Sequence, residues 1–141
     1  GTDNRKMSKT YGNAILLSDT AEEVWTKVKP MVTDPARVRR TDPGNPEICN
    51  VFDYHKIFSD EETIKRVDVG CRTAGIGCIE CKQPVIDGIL REQAPMRERA
   101  QIYLDDPTLV KNIIADGCEK ARELARETMR DVREAMGLEY H

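Results

Sequence analysis

The sequence predicts an all-α protein, a helical bundle. Apolar residues from Ile114 to Met136 recur at steps of three and four, as one face of a helix requires. Ser/Thr-x-x-Glu capping boxes stand at Thr20–Glu23 and Ser59–Glu62, each able to satisfy orphan backbone N–H groups. No stretch alternates apolar and polar residues as a half-buried strand does.

Residues 1–17 read as a loop, with Ala14 to Leu17 its buried candidates. A first helix starts at Thr20, turns Val24, Val28 and Met31 inward, and ends near Lys29 because Pro30 cannot continue it. Pro35, Pro43, Gly44 and Pro46 make 32–47 a linker. A second helix covers Ile48 to Phe58 and partly buries Ile48, Val51, Phe52, Tyr54, His55 and Phe58. A third starts at Ser59 and runs to Gly70, before a turn-rich loop where Gly70, Gly75 and Gly77 surround Cys71 and Cys78.

A long helix follows from Cys78 to Leu104, with Ile86, Ile89, Leu90, Ala100 and Leu104 on its apolar face and a kink at Pro95. Asp106 and Pro107 open the last helix and Gly137 closes it. Its stripe is Ile114, Cys118, Ala121, Ala125, Met129, Val132 and Met136, so Cys118 reads as a small buried hydrophobe.

The chain has 141 residues, 39% hydrophobic and 33% charged, which suits a globular domain rather than a disordered tail. Its net charge of -3 gives no bulk basic excess, so any nucleic-acid contact must come from a local patch. No apolar run is long enough for a membrane span, and no signal peptide stands at the N-terminus. The lack of an initiating Met suggests a piece of a longer protein. Without an export signal, a reducing cytoplasm is expected, where clustered cysteines serve as metal ligands rather than disulfides.

Cys49, Cys71, Cys78 and Cys81 form the pattern C-x21-C-x6-C-x2-C. The close pair can reach one centre from a single turn, Cys71 can complete the pocket, and the fold must bring in Cys49. Four thiolates suit a tetrahedral zinc ion or a [4Fe–4S] cubane. The spacing leaves both open.

Lys6-Met7-Ser8-Lys9-Thr10 is a basic, hydroxyl-bearing loop ahead of Gly12 and Asn13. Two mobile point charges three residues apart suit a polyphosphate.

These residues resemble the KMSKS signature of class I aminoacyl-tRNA synthetases, with Thr10 keeping the hydroxyl of the usual final Ser. Tyr11 to Asp19 is similar to the tryptophanyl and tyrosyl branch. Thr33 to Gly44, Pro95 to Arg99, and Lys120 to Leu138 resemble the tryptophanyl side, so the likeness covers nearly the whole chain. Some bacterial members of this family hold a [4Fe–4S] cluster on four cysteines near the anticodon-binding region. Their spacing is close to the one here, where the first interval is slightly shorter, and this favours the cluster over zinc.

The resemblance implies the C-terminal part of such an enzyme. Residues 1–17 would be the signature loop and its connection to a Rossmann domain, and 18–141 the helical anticodon-binding domain. The second signature, HIGH, needs paired histidines, and only His55 and His141 are present, so the nucleotide-binding sheet is expected upstream of Gly1. Lys6 and Lys9 would be catalytic. Lys6, Met7, Ser8 and Lys9 would hold ATP with Mg²⁺. Arg37, Arg39, Arg40 and Arg72 would meet tRNA(Trp). Tryptophan would bind in the other domain and the full-length enzyme would be a homodimer, with no membrane or DNA partner. Without its partner domain the lysine loop is expected to be mobile or held only by external contacts. A non-catalytic metal-binding module for RNA or a protein is the alternative.

Overall fold

A computed structural model describes residues 1–138. Among them every regular element is helical: α1 (Ala21–Val28), α2 (Asn50–Phe58), α3 (Glu61–Arg72), α4 (Cys78–Asp105) and α5 (Pro107–Met136), with short 3-10 turns at Lys9–Tyr11 and Pro46–Ile48. No helix is long and apolar enough to cross a membrane among the described residues. The chain divides into two compact units, Gly1–Arg97 and the remainder from Glu98.

The first unit holds the core. Val24, Val28 and Met31 meet Val51 and Phe52, Val67, Ile76, and Val85, Ile86 and Ile89. Burying each such side chain contributes roughly 1.5–3 kcal/mol. Of the early apolar run only Ile15 packs against this core, while Leu17 is 66% exposed. The capping box of α1 forms as expected: Glu23 N–H donates to Thr20 Oγ1 at 3.2 Å and Thr20 N–H to Glu23 Oε2 at 2.7 Å. Beyond the other end of α1, buried Lys82 donates its Nζ to the carbonyls of Lys29 at 2.6 Å and Met31 at 2.9 Å.

The 32–47 linker is a folded loop rather than a spacer. Buried Asp34 accepts from Ala36 N–H and Asn45 N–H, both at 2.8 Å, and so pins the loop's two ends together. Ile48 belongs to the 3-10 turn and is 54% exposed, so α2 starts later than expected. The cap of α3 is Asp60, which accepts from Thr63 N–H at 2.7 Å, because the Ser59 hydroxyl is engaged with His55. Gly70 lies inside α3, which runs on to Arg72 and puts Cys71 on a helix rather than in a loop.

Helix α4 continues through both Pro84 and Pro95, and Leu104, expected inside, is 71% exposed. In the second unit Asp106 Oδ1 caps Thr108 and Leu109, and Gly137, at φ 66°, ends α5. The periodicity of α5 is real but its burial is not: Ile114, Met129 and Met136 are exposed, and so is Cys118. A helical period reports an amphipathic surface, whether or not something covers it.

Candidate functional sites: a lysine loop and a four-cysteine cradle

The lysine loop is hydrogen-bonded through its own side chains. Asn13, buried, donates Nδ2 to Asp3 Oδ1 at 2.7 Å and to the Lys6 carbonyl at 3.1 Å, and accepts from Ser8 N–H at 2.8 Å. The Asn13 hydrogen bond leads the groups that hold the Asp3 carboxyl well below the usual carboxylate range; burial opposes it and Arg5 assists it. Ser8 Oγ accepts from Thr10 N–H at 3.3 Å and opens the 3-10 turn, which Gly12 closes at φ 64°, a left-handed position that suits glycine. Two further bonds tie the loop down: Val32 N–H to the Thr2 carbonyl at 3.2 Å and Asn50 Nδ2 to the Gly1 carbonyl at 2.8 Å. Lys6, Met7 and Lys9 remain exposed, and neither lysine forms an ion pair among the described residues. The loop therefore offers two unspent positive charges on a fixed backbone. Asn13 escaped sequence reasoning, because an Asn after a Gly reads only as a turn.

The four cysteines come from three element ends. Cys49 caps α2, Cys71 is in the last turn of α3, and Cys78 and Cys81 occupy the first turn of α4. They sense one another: burial first, and then the thiols of Cys49, Cys71 and Cys78, push the Cys81 thiol up to about 12. Burial raises the Cys71 thiol, the Arg37 charge pulls it back, and Cys49 and Cys78 raise it further. Among the described residues no three His, Cys, Asp or Glu side chains stand close enough to hold a single metal ion.

The cradle around the thiols is shaped by the folded 32–47 loop. Gly44 N–H donates to the Cys71 carbonyl at 2.9 Å, and a Cβ on Gly44 would lie 2.7 Å from Cys71 Sγ. Only glycine leaves that sulfur free. The turn between Cys71 and Cys78 takes its left-handed residue from Ala74, at φ 57°, rather than from its glycines. Fully buried His55 anchors Cys81: its Nε2 lies 2.9 Å from the Cys81 carbonyl and 3.4 Å from Sγ, and its Nδ1 2.8 Å from Ser59 Oγ. A carbonyl can only accept, so Nε2 carries the proton and Nδ1 accepts from the Ser59 hydroxyl. Burial, the leading cause, lowers the His55 pKa and favours this neutral ring.

The four arginines differ in what they touch. Arg37, Arg39 and Arg40 line, with Thr33, Val38 and Cys78, an open cavity of about 620 Å³, and Arg39 and Arg40 are exposed. Arg40 Nη2 lies 3.7 Å from Glu80 Oε2. Arg72 is tied to Asp68 at 3.0 Å and to Glu47 at 3.1 Å, so its charge is already answered. Arg37 turns inward: Nη2 donates to the carbonyls of Ile76 at 2.6 Å and Arg40 at 3.1 Å, and Nη1 lies 3.8 Å from Cys71 Sγ.

An all-helical unit bearing this loop and this cradle belongs to a definite class. A family model described as tRNA synthetases class I (W and Y) matches residues 1–90, more than half of the chain, and the chain belongs to that family. Within the family it is similar to bacterial tryptophan–tRNA ligases. It is 61% identical over 140 residues to the one from Ralstonia nicotianae, covering 99% of this chain and 35% of that protein. To the one from Thermotoga maritima it is 49% identical over 139 residues, 98% of this chain and 42% of that one. A crystal structure of tryptophanyl-tRNA synthetase from Campylobacter jejuni, complexed with ADP and tryptophan, superposes with a TM-score of 0.82 at 31% identity, over 98% of this chain and 43% of that one. The chain thus spans well under half the length of these relatives.

Proposed function

We propose that this chain serves as part of a tryptophan–tRNA ligase, an enzyme that condenses tryptophan with ATP to tryptophanyl-adenylate, releasing pyrophosphate, and then passes the tryptophanyl group to tRNA(Trp), releasing AMP. The observation that carries the reading is the lysine loop: Lys6 and Lys9 exposed and unpaired on a backbone that Asn13 holds in place. In this role Ser8 and the backbone at Met7 hold ATP, which arrives with Mg²⁺. Lys6 and Lys9 meet the negative charge that grows on pyrophosphate as the bond to the α-phosphate breaks. Fixed cations placed where charge develops favour the transition state over the ground state. Lys9→Ala in the full-length enzyme is expected to slow adenylate formation far more than it weakens ATP binding. Equal losses in single-turnover rate and in ATP affinity would remove the transition-state role.

The helical portion faces the anticodon arm of the tRNA in this reading. Arg39 and Arg40 supply phosphate or base contacts at their cavity, and Arg37 and Arg72 act from closer to the cysteines. Cys49, Cys71, Cys78 and Cys81 hold a [4Fe–4S] cluster, with zinc as the alternative occupant. The donor set suits such a group: four thiols stand at the ends of α2, α3 and α4, Gly44 leaves the space at Cys71 Sγ open, and among the described residues the Nε–H of Arg37 lacks a partner. Bound there, the group would clamp the ends of α2, α3 and α4 together rather than take part in ligation. The full-length enzyme works in the cytoplasm as a homodimer in this reading.

A further inference from the structure

We infer that Arg37 is a positioning residue for the four-cysteine site: it supplies the charge and the N–H donors that hold the thiolate-bound group in its cradle. The inference rests on the reading of those cysteines given above and reassigns one arginine from the RNA-facing set.

Three observations carry it. The first is where the guanidinium is spent. Nη2 donates to the carbonyls of Ile76 and Arg40, which ties the 32–47 loop to the turn between Cys71 and Cys78. Nη1 lies 3.8 Å from Cys71 Sγ, too long for a strong bond to a thiol but well placed beside a thiolate. A side chain committed to two carbonyls of the fold is a poor candidate for an RNA phosphate.

The second is the orphan. Nε of Arg37 is the buried side-chain polar atom without a partner among the described residues. A buried donor left unpaired costs roughly 1–3 kcal/mol, and sequences keep such a donor where something else accepts from it. Cδ of the same side chain would stand 3.1 Å from a Cβ on Gly44, the position that borders Cys71 Sγ at 2.7 Å. The unpaired N–H and the thiol thus share one small space.

The third is charge. Four thiolates around a zinc ion or a cubane core make a complex that is negative overall. Buried charge needs a counter-charge near it. Arg37 Nη1 stands 3.8 Å from Cys71 Sγ, while the nearby Lys82 is committed to the carbonyls of Lys29 and Met31. Arg37 holds a buried N–H to spare.

The test uses the protein loaded without oxygen with iron and sulfide, comparing wild type with Arg37→Gln and Arg37→Lys. Chelator-driven loss of the visible chromophore and the midpoint potential are the readouts. Removing a hydrogen-bonded neighbour of a metal ligand typically costs tenfold or more in retention, so Arg37→Gln should lose the group about tenfold faster. Its potential should move negative, because the reduced group carries the extra charge that Arg37 answers. Arg37→Lys should keep the potential near wild type while losing the group faster, since it retains charge but not the fork. Wild-type retention and potential in Arg37→Gln would overturn the inference and leave the cysteine site standing. Equal potentials for the two variants would reduce Arg37 to a loop tie and overturn it as well. A wild-type protein that takes up neither iron with sulfide nor zinc would overturn the reading of the cysteines itself. If it takes up zinc alone, chelator competition for zinc carries the same tenfold expectation, and an unchanged affinity sinks the inference.

Discussion

Asp19 gathers a corner of the first unit onto one carboxylate. Its Oδ2 accepts from Leu16 N–H at 2.7 Å and from Lys27 Nζ at 2.5 Å, while Arg97 donates to its carbonyl and to Gln93 Oε1. Burial alone would raise this carboxyl's pKa, but Lys27, the Leu16 N–H and the Arg97 charge outweigh it and leave it lowered. A folded pKa below the unfolded one means that the contribution is present above the ordinary aspartate value near about 4 and is lost as pH falls through the folded value. Asp19→Asn should therefore cost about 2 kcal/mol at neutral pH, the range for unmaking a buried charge-assisted bond. The gap between variant and wild type should narrow in acid. Denaturant unfolding across pH reads both, and a gap constant from neutral to acid pH would contradict the account. Residues of this kind were illegible in the sequence. Asp19, Asp34 and Asn13 all look like turn formers, and nothing local says which distant N–H or carbonyl each one meets. The lysine pair and the C-x2-C pair stand out as candidates because they depend on residue type and short spacing, whereas Cys49 depends on the fold.

Helix α4 crosses the end of α2 at Gly88, and the crossing has no room for a side chain. A Cβ there would lie 2.3 Å from the Phe58 carbonyl oxygen and 2.8 Å from Phe58 Cβ. Alanine gains about 1 kcal/mol of intrinsic helix propensity over glycine. Overpacking against backbone costs about 1–3 kcal/mol and wins where the neighbour cannot move. Gly88→Ala is expected to lower the urea midpoint of the first unit; a raised midpoint would mean that the two helices slide apart cheaply. Helix existence and order were readable from caps and periodicity, as α1 and α5 show. Boundaries were not: Ser59 lost the cap of α3 to Asp60 because His55 claimed its hydroxyl. Helix α4 does run through Pro95 as its pattern indicates, since a proline removes only one bond from a long ladder.

The whole chain is all-α, as its pattern foretold, but the burial is uneven. Among the described residues every buried hydrophobic one lies within the first unit, whereas α5 buries none of its own. What the pattern could not foretell is that the 32–47 loop folds onto the Cys71–Cys78 turn. Contacts such as Arg37 to Ile76 join residues 39 apart, and periodicity carries no information at that range. The contact of Lys82 with the carbonyls beyond α1 belongs to the same class, and it has a practical consequence. Lys82 is 4% exposed, the one lysine among the buried residues. To an amine-reactive reagent in solution it is hidden for as long as the first unit stays shut. Mass spectrometry should find the surface lysines, Lys9 among them, acylated within the first minutes, and Lys82 acylated only at the pace of global opening. Labelling of Lys82 as fast as Lys9 would deny that the site is closed. The molecule thus carries an internal clock: the age of a preparation in reagent, divided between Lys82 and its neighbours, reads how often the fold comes apart.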